Sequence, residues 1–126
     1  MNISGRWGVS IGDGCGVASK VSIHSSSHHF RSHADRRNEA IFMTPLVDAD
    51  RQALIVGPVV LGDNVGVALN ATILPGVTVA KNSFVNISPV VPVGSRYSEN
   101  SIIGGDPARR LGPRFLGVGR EGEACD

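Results

Sequence analysis

The chain has 126 residues, a formal net charge of +1, 16 glycines, and is 41% hydrophobic but only 5% aromatic. That is one domain's length with an aliphatic, glycine-rich make-up, which disfavours a compact sandwich built on large rings, and the near-neutral charge removes any global electrostatic case for nucleic acid. Two cysteines, Cys15 and Cys125, make no disulfide framework. The opening MNISGRWGVS lacks the apolar core of a signal peptide, and no stretch reaches the roughly 18 apolar residues of a membrane span. The sequence therefore predicts a soluble cytoplasmic protein without a membrane partner.

Residues 1–8 read as a partial structural unit. From residue 9 a rhythm begins: Ile11, Val17 and Ile23 are six apart, and Val9, Cys15 and Val21 precede each by two. After an interruption the rhythm resumes with Leu61, Val67, Ile73, Val79, Val85 and Val91, again preceded by two with Val59, Val65, Ala71, Val77, Ser83 and Pro89. An amphipathic helix would repeat apolar residues at three and four, not at six. A step of six, with small or turn residues such as Gly12, Ala18, Gly62, Ala68 and Ala80 just after the aliphatic, means a very short strand, then a corner, then another strand. Hexapeptide repeats of this kind specify a parallel β-helix. Three hexads make one triangular coil, so 9–26 supply about one coil and 59–94 about two. Such a column has a thin core and gains stability by oligomerising. Its flat sides predict a homotrimer.

Residues 26–57 break the rhythm and form one long excursion. Loops of that length in compact domains are uncommon and are functional or disordered. His24, His28, His29 and His33, which are all the histidines of the chain, cluster in and just before it. Beyond the second block the rhythm ends. Ile102-Ile103-Gly104-Gly105 reads as the last strand, GDPARR turns the chain out, and the expected division is a single domain at 1–112 followed by a C-terminal tail at 113–126.

The segments VSIGDGCGVASKVSIHSSSHH, VVLGDNVGVALNATILPGVTVAKNSFV and IIGGDPARRL, spanning most of residues 9–111, resemble the hexapeptide-repeat acyltransferases. The resemblance is to the maltose, galactoside and lipopolysaccharide O-acetyltransferase group. It implies an all-β, left-handed parallel β-helix, a homotrimer, and acetyl-CoA as co-substrate lying along a groove between adjacent columns, with no metal. It also implies a catalytic histidine soon after the first coil; counting forward from Ile11-Gly12-Asp13, it falls on His28. Three departures stand out. Gly66 occupies the place of a family tryptophan, Ala68 that of a glycine, and Ile87 brings bulk where the family keeps its backbone close to the pantetheine arm.

Acyl transfer to a hydroxyl needs a base for the acceptor proton, and an imidazole, with an ordinary pKa of about 6.5, suits that task at neutral pH. It also needs a donor for the tetrahedral oxyanion, which a backbone N–H at a Gly or Ala corner can supply. The expected assignment is His28 as general base, His29 and His24 as substrate-binding residues, and Ala68, Ile87, Arg109 and Arg110 along the CoA site, with guanidinium groups on its phosphates. The expected acceptor is a sugar or another small hydroxyl or amine compound. Structural readings stand beside these: His24 and His29 as ordinary corner and loop residues, Arg109 and Arg110 as a solvated basic patch, Cys15 as a core thiol, Trp7 as a cap on the first coil. Two alternative functions are a non-catalytic trimeric β-helix module and a carbonic anhydrase-like metalloenzyme. The latter is disfavoured because no histidine follows His33 to supply a ligand from a later coil.

Overall fold

The computed structural model describes residues 1–28, 46, 52 and 54–116. Within them the chain forms fifteen short strands and no helix. In chain order these are β1 (Asn2–Ser4), β2 (Val9–Ile11), β3 (Gly16–Val17), β4 (Ser22–His24), β5 (Ser26–His28), β6 (Leu54–Val56), β7 (Val59–Leu61), β8 (Gly66–Val67), β9 (Thr72–Ile73), β10 (Thr78–Val79), β11 (Phe84–Val85), β12 (Val90–Val91), β13 (Arg96–Tyr97), β14 (Ser101–Gly105) and β15 (Ala108–Pro113). They make three parallel faces. The first is β1-β4-β9-β12, the second is β2-β7-β10-β13, and the third is β3-β8-β11-β14, with β15 added antiparallel at its end. This is the expected left-handed parallel β-helix.

The register explains the sequence rhythm. Val60 pairs with Thr78 and Thr78 with Arg96; Val67 pairs with Val85 and Val85 with Ile103. Each partner lies three hexads further on, so one turn of the column is 18 residues. Within each hexad both aliphatics point inward, because they are two apart on an extended strand. Val59 and Leu61, Val65 and Val67, Ala71 and Ile73, and Val77 and Val79 are all buried. Each full burial of such a Val, Leu or Ile contributes about 1.5–3 kcal/mol.

The corners are two-residue turns whose second residue takes a left-handed conformation. Between the second and third faces these are Gly14, Asn64, Asn82 and Asn100. Between the third and first they are Lys20, Asn70 and Ser88, and between the first and second Gly8, Gly76 and Gly94. Asparagine tolerates that region and bonds its surroundings: Asn64 Nδ2 donates to Asn82 Oδ1 at 3.1 Å, and Asn70 Nδ2 to Ser88 Oγ at 3.2 Å.

The column runs further than the sequence rhythm suggests. β13 and β14 supply two sides of another coil, and Tyr97 and Ile103 keep the six-residue phase of Val91. The aliphatic partners two residues earlier are missing because serines occupy those places. Buried Ser83 and Ser101 satisfy their polar groups internally: Ser101 N donates to Ser83 Oγ, Ser83 Oγ to Ser98 O, and Ser101 Oγ to Ser98 O. Tyr97 closes this end by donating its hydroxyl to Ala108 O at 3.1 Å. The chain then stays attached through Phe115. Arg114 Nη1 donates to Asn64 O at 2.7 Å and Ser83 O at 3.1 Å, and Asn100 Nδ2 donates to Phe115 O at 3.0 Å. The expected tail at 113–126 thus opens with residues bonded to the column, and its remainder, 117–126, lies outside the described residues. The opposite end of the core is open, with Ile11 39% exposed.

Corner packing gives a test. A Cβ on Gly62 would lie 2.7 Å from Lys81 N, against backbone, whereas Gly16 has nothing within 4 Å of such a Cβ. Gly62→Ala is expected to destabilise the column by about 1–3 kcal/mol, and Gly16→Ala to stay within about 0.5 kcal/mol of the parent. Thermal melts of the two variants check this; equal melting temperatures would contradict the stacking described.

Candidate functional site

Two edges of the column carry the chemistry-bearing residues, and both border the first face. At the edge between the first and second faces, the corner is Trp7-Gly8 in one coil, Pro75-Gly76 in a later one and Val93-Gly94 in the next. The excursion leaves this edge after Ser25 and returns at Gly57. Its base is tightly closed: Gly57 N donates to Ser25 O at 3.0 Å, and Gly76 N donates to Gly57 O at 3.1 Å. A Cβ on Gly57 would sit 2.8 Å from Gly76 Cα, so only glycine lets the two coils approach here. Ser25 is fully buried and acts as a clamp. Its Oγ accepts from Trp7 N at 2.9 Å and donates to Ser4 O at 3.0 Å.

Beyond the clamp, β5 and β6 pair antiparallel, Ser26 with Val56, Ser27 with Ile55 and His28 with Leu54. His28 is therefore held in a strand at the root of the excursion. His24 ends β4 beside Ser4 and is half-buried on the outer side of the first face. His29 and His33 lie outside the described residues.

The second edge lies between the third and first faces. The 18-residue step stacks Ala68, Asn86 and Gly104 in one column, and Leu69, Ile87 and Gly105 beside it. Backbone bonds run along this stack, from Ala68 N to Val85 O at 2.9 Å and from Asn86 N to Ile103 O at 2.8 Å. Ile87 is 64% exposed and Leu69 49% exposed, so the edge presents an apolar ridge. The ridge leads to a pocket of about 490 Å³ lined by Gly104, Gly105, Asp106, Pro107, Ala108, Arg109 and Leu111.

The fold separates the two arginines that the sequence could not distinguish. Arg109 pairs in register with Gly104 and lines the pocket. It makes no ion pair with any described residue; the side-chain ion pair among them is Lys81 with Glu99, on another edge. Arg110 pairs with Ile103, and its Nε donates to Ser101 Oγ at 2.9 Å. The structure thus brings Ala68, Ile87 and Arg109 onto one edge, and places His24 and His28 at the other.

Gly66 also has a physical explanation. A Cβ there would meet Phe84 Cδ1 at 2.9 Å, so the Phe84 ring from the next coil covers the spot where the family carries an indole. Cys15 points into the column and donates Sγ–H to Gly62 O at 3.1 Å, as a core thiol does. The sequence reading does not single out Leu69 or Leu111. A step of 18 residues back from Ile87 would find Leu69; Leu111 becomes visible only once β15 is seen to fold back on β14.

No family profile matches the chain. It is 32% identical over 109 residues, covering 86% of this chain and 52% of the relative, to Escherichia coli K12 WbbJ, described as a lipopolysaccharide biosynthesis O-acetyl transferase. Among solved structures it is similar to a point mutant of the N-acyltransferase AntD from Bacillus cereus, crystallised with dTDP and coenzyme A (TM-score 0.75, 19% identity, 89% of this chain and 56% of that one). It is also similar to a galactoside acetyltransferase in complex with coenzyme A (0.68, 23%, 88% and 48%) and to a maltose O-acetyltransferase from Clostridium difficile 630 (0.63, 24%, 83% and 48%). These structural likenesses concern the fold. The chain spans about half the length of the relatives it matches. The resemblance drawn from the hexapeptide segments therefore holds in both sequence and fold.

The two arginines are expected to separate in stability. Arg110→Ala loses the bond to Ser101 and should cost about 0.5–1.5 kcal/mol. Arg109→Ala should change the denaturation midpoint negligibly, within about 0.5 kcal/mol. Chemical denaturation of both variants is the check, and the opposite order would contradict the assignment.

Proposed function

We propose that this relative of the hexapeptide-repeat acyltransferases transfers an acetyl group from acetyl-CoA to a hydroxyl or amine of a sugar or another small acceptor. The observation that carries the reading is the shared edge: Ala68 and Ile87 lie on adjacent stacked lines of it, and the edge ends in a pocket where Arg109 presents a guanidinium without an ion-pair partner among the described residues. A long, thin donor with phosphates at one end fits a line of that kind. Arg109 takes a phosphate, where its planar fork can bond bidentately. The pantetheine arm runs along the apolar ridge of Ile87 and Leu69, directing the thioester toward the earlier coils. Coenzyme A in the crystals of AntD and of the galactoside acetyltransferase supports this choice of donor.

His28 is the general base. As the acceptor oxygen attacks the thioester carbonyl carbon, its proton passes to the imidazole. A backbone N–H donates to the oxyanion of the tetrahedral intermediate, the C–S bond breaks, and the imidazolium returns the proton to the departing thiolate sulfur. Direct transfer of this kind needs both substrates bound together, and that juxtaposition supplies much of the acceleration. In one chain the His28 edge and the donor edge lie on opposite sides of the first face. The proposal therefore includes a homotrimer, in which the donor edge of one protomer meets the excursion edge of the next. His24, and His29 of the excursion, serve the acceptor. The reading places the protein in the cytoplasm, where acetyl-CoA is available.

A second reading, a non-catalytic trimeric module, draws on the same ridge, since Ile87 and Leu69 would be buried by another copy without any ligand. Acetyl-CoA turnover with thiol detection, across a panel of hydroxyl and amine acceptors, separates the two. The wild type is expected to release thiol, His28→Ala to lose about 10²–10⁴ in rate, and Arg109→Ala to raise the KM for acetyl-CoA with kcat little changed. Full turnover by His28→Ala would overturn its role. A trimer that neither releases thiol nor gains thermal stability from CoA would establish the second reading.

A further inference from the structure

Trp7 is the single tryptophan of a chain poor in aromatic residues, and the residue is 46% exposed. A residue serving only as a cap on the core would be covered more completely, because indole is among the largest apolar groups a chain can bury. Its position is fixed from two sides. The backbone N–H is held by buried Ser25 Oγ, the clamp at the exit of the excursion. The Arg6 guanidinium stands 6.0 Å from the ring centroid, at the outer limit of a cation–π contact. Ser25 is three residues before His28, about 10 Å along an extended strand. His24 lies one residue before the same clamp, and its strand pairs with the strand carrying Ser4, three residues before Trp7.

We propose that the indole of Trp7 is a stacking platform for the ring of a pyranose acceptor, and so sets acceptor specificity. The C–H-bearing face of a hexose is apolar and flat enough to pack on an aromatic ring, while its hydroxyls stay free for polar partners such as His24. The Ser25 clamp gives the platform a fixed relation to the strand that carries His28. This inference rests on the sugar-acceptor reading above, and its test is chosen to separate the two.

The lone indole makes its own reporter. The full-length protein, without CoA, is titrated with methyl α-glucopyranoside, methyl β-galactopyranoside and N-acetylglucosamine while tryptophan emission is recorded. A saturable shift with at least one sugar is expected. In turnover, Trp7→Ala should raise the acceptor KM about tenfold, as loss of about 1.4 kcal/mol implies, with kcat and the KM for acetyl-CoA little changed. Trp7→Phe should restore most of the loss. A saturable shift without thiol release would support the platform while the transferase reading fails. Thiol release with a sugar but unmoved emission would overturn the platform and leave the transferase standing. So would a Trp7→Ala variant in which kcat and the melting temperature fall while both KM values rise together, since that marks a structural role.

Discussion

The ladder of backbone hydrogen bonds along the column axis is the constraint from which the rest follows. It fixes a repeat of 18 residues, so Ala68 must lie under Asn86 and Asn86 under Gly104. No single coil has a core of its own, because each aliphatic is covered chiefly by residues one turn above and below. Once that register is set, every residue is assigned to a face or an edge. The corners then do the selecting: left-handed turns admit glycine, asparagine and a few others, and the crowded residue after each inward aliphatic admits little more than glycine or alanine where backbone approaches, as at Gly62.

That register is largely legible in the sequence, because burial at Leu61, Val67, Ile73, Val79, Val85 and Val91 leaves a regular trace. The trace fades where inward positions turn polar. Ser83 and Ser101 sit in the core with their hydroxyls paired, and a hydrophobicity pattern cannot distinguish such serines from solvent-facing ones. From the sequence, the coil of β13 and β14 accordingly reads as the column's exit. The N-terminal partial unit, by contrast, is visible from MNISGRWG and is β1 with its Trp7-Gly8 corner.

For the candidate site, the sequence offers members but not their arrangement. The family resemblance picks Ala68, Ile87, Arg109 and Arg110, and simple arithmetic modulo 18 puts the first two on adjacent lines of one edge. Arg109 and Arg110 are neighbours with equal chemistry, and only the antiparallel return of β15 sends one into the pocket and the other to Ser101. The sequence shows where the rhythm breaks, but not that β5 and β6 pair at the root of the excursion. That pairing is non-local, between residues about 25 or more apart in sequence, and no periodicity reports it.

The two edges that flank the first face of the column have different characters. One is an apolar ridge ending in a pocket lined by Asp106 and Arg109; the other gathers a clamp serine, an indole and the strand of His28. The central claim is that the first of these is the donor line. Residue-resolved backbone hydrogen exchange, with and without saturating CoA, tests it most directly. The account predicts added protection around Ala68–Leu69, Asn86–Ile87 and Gly104–Leu111, with the Asp13, Asp63 and Lys81 corners unchanged. Protection centred on those corners instead, or none anywhere on the column, would contradict it.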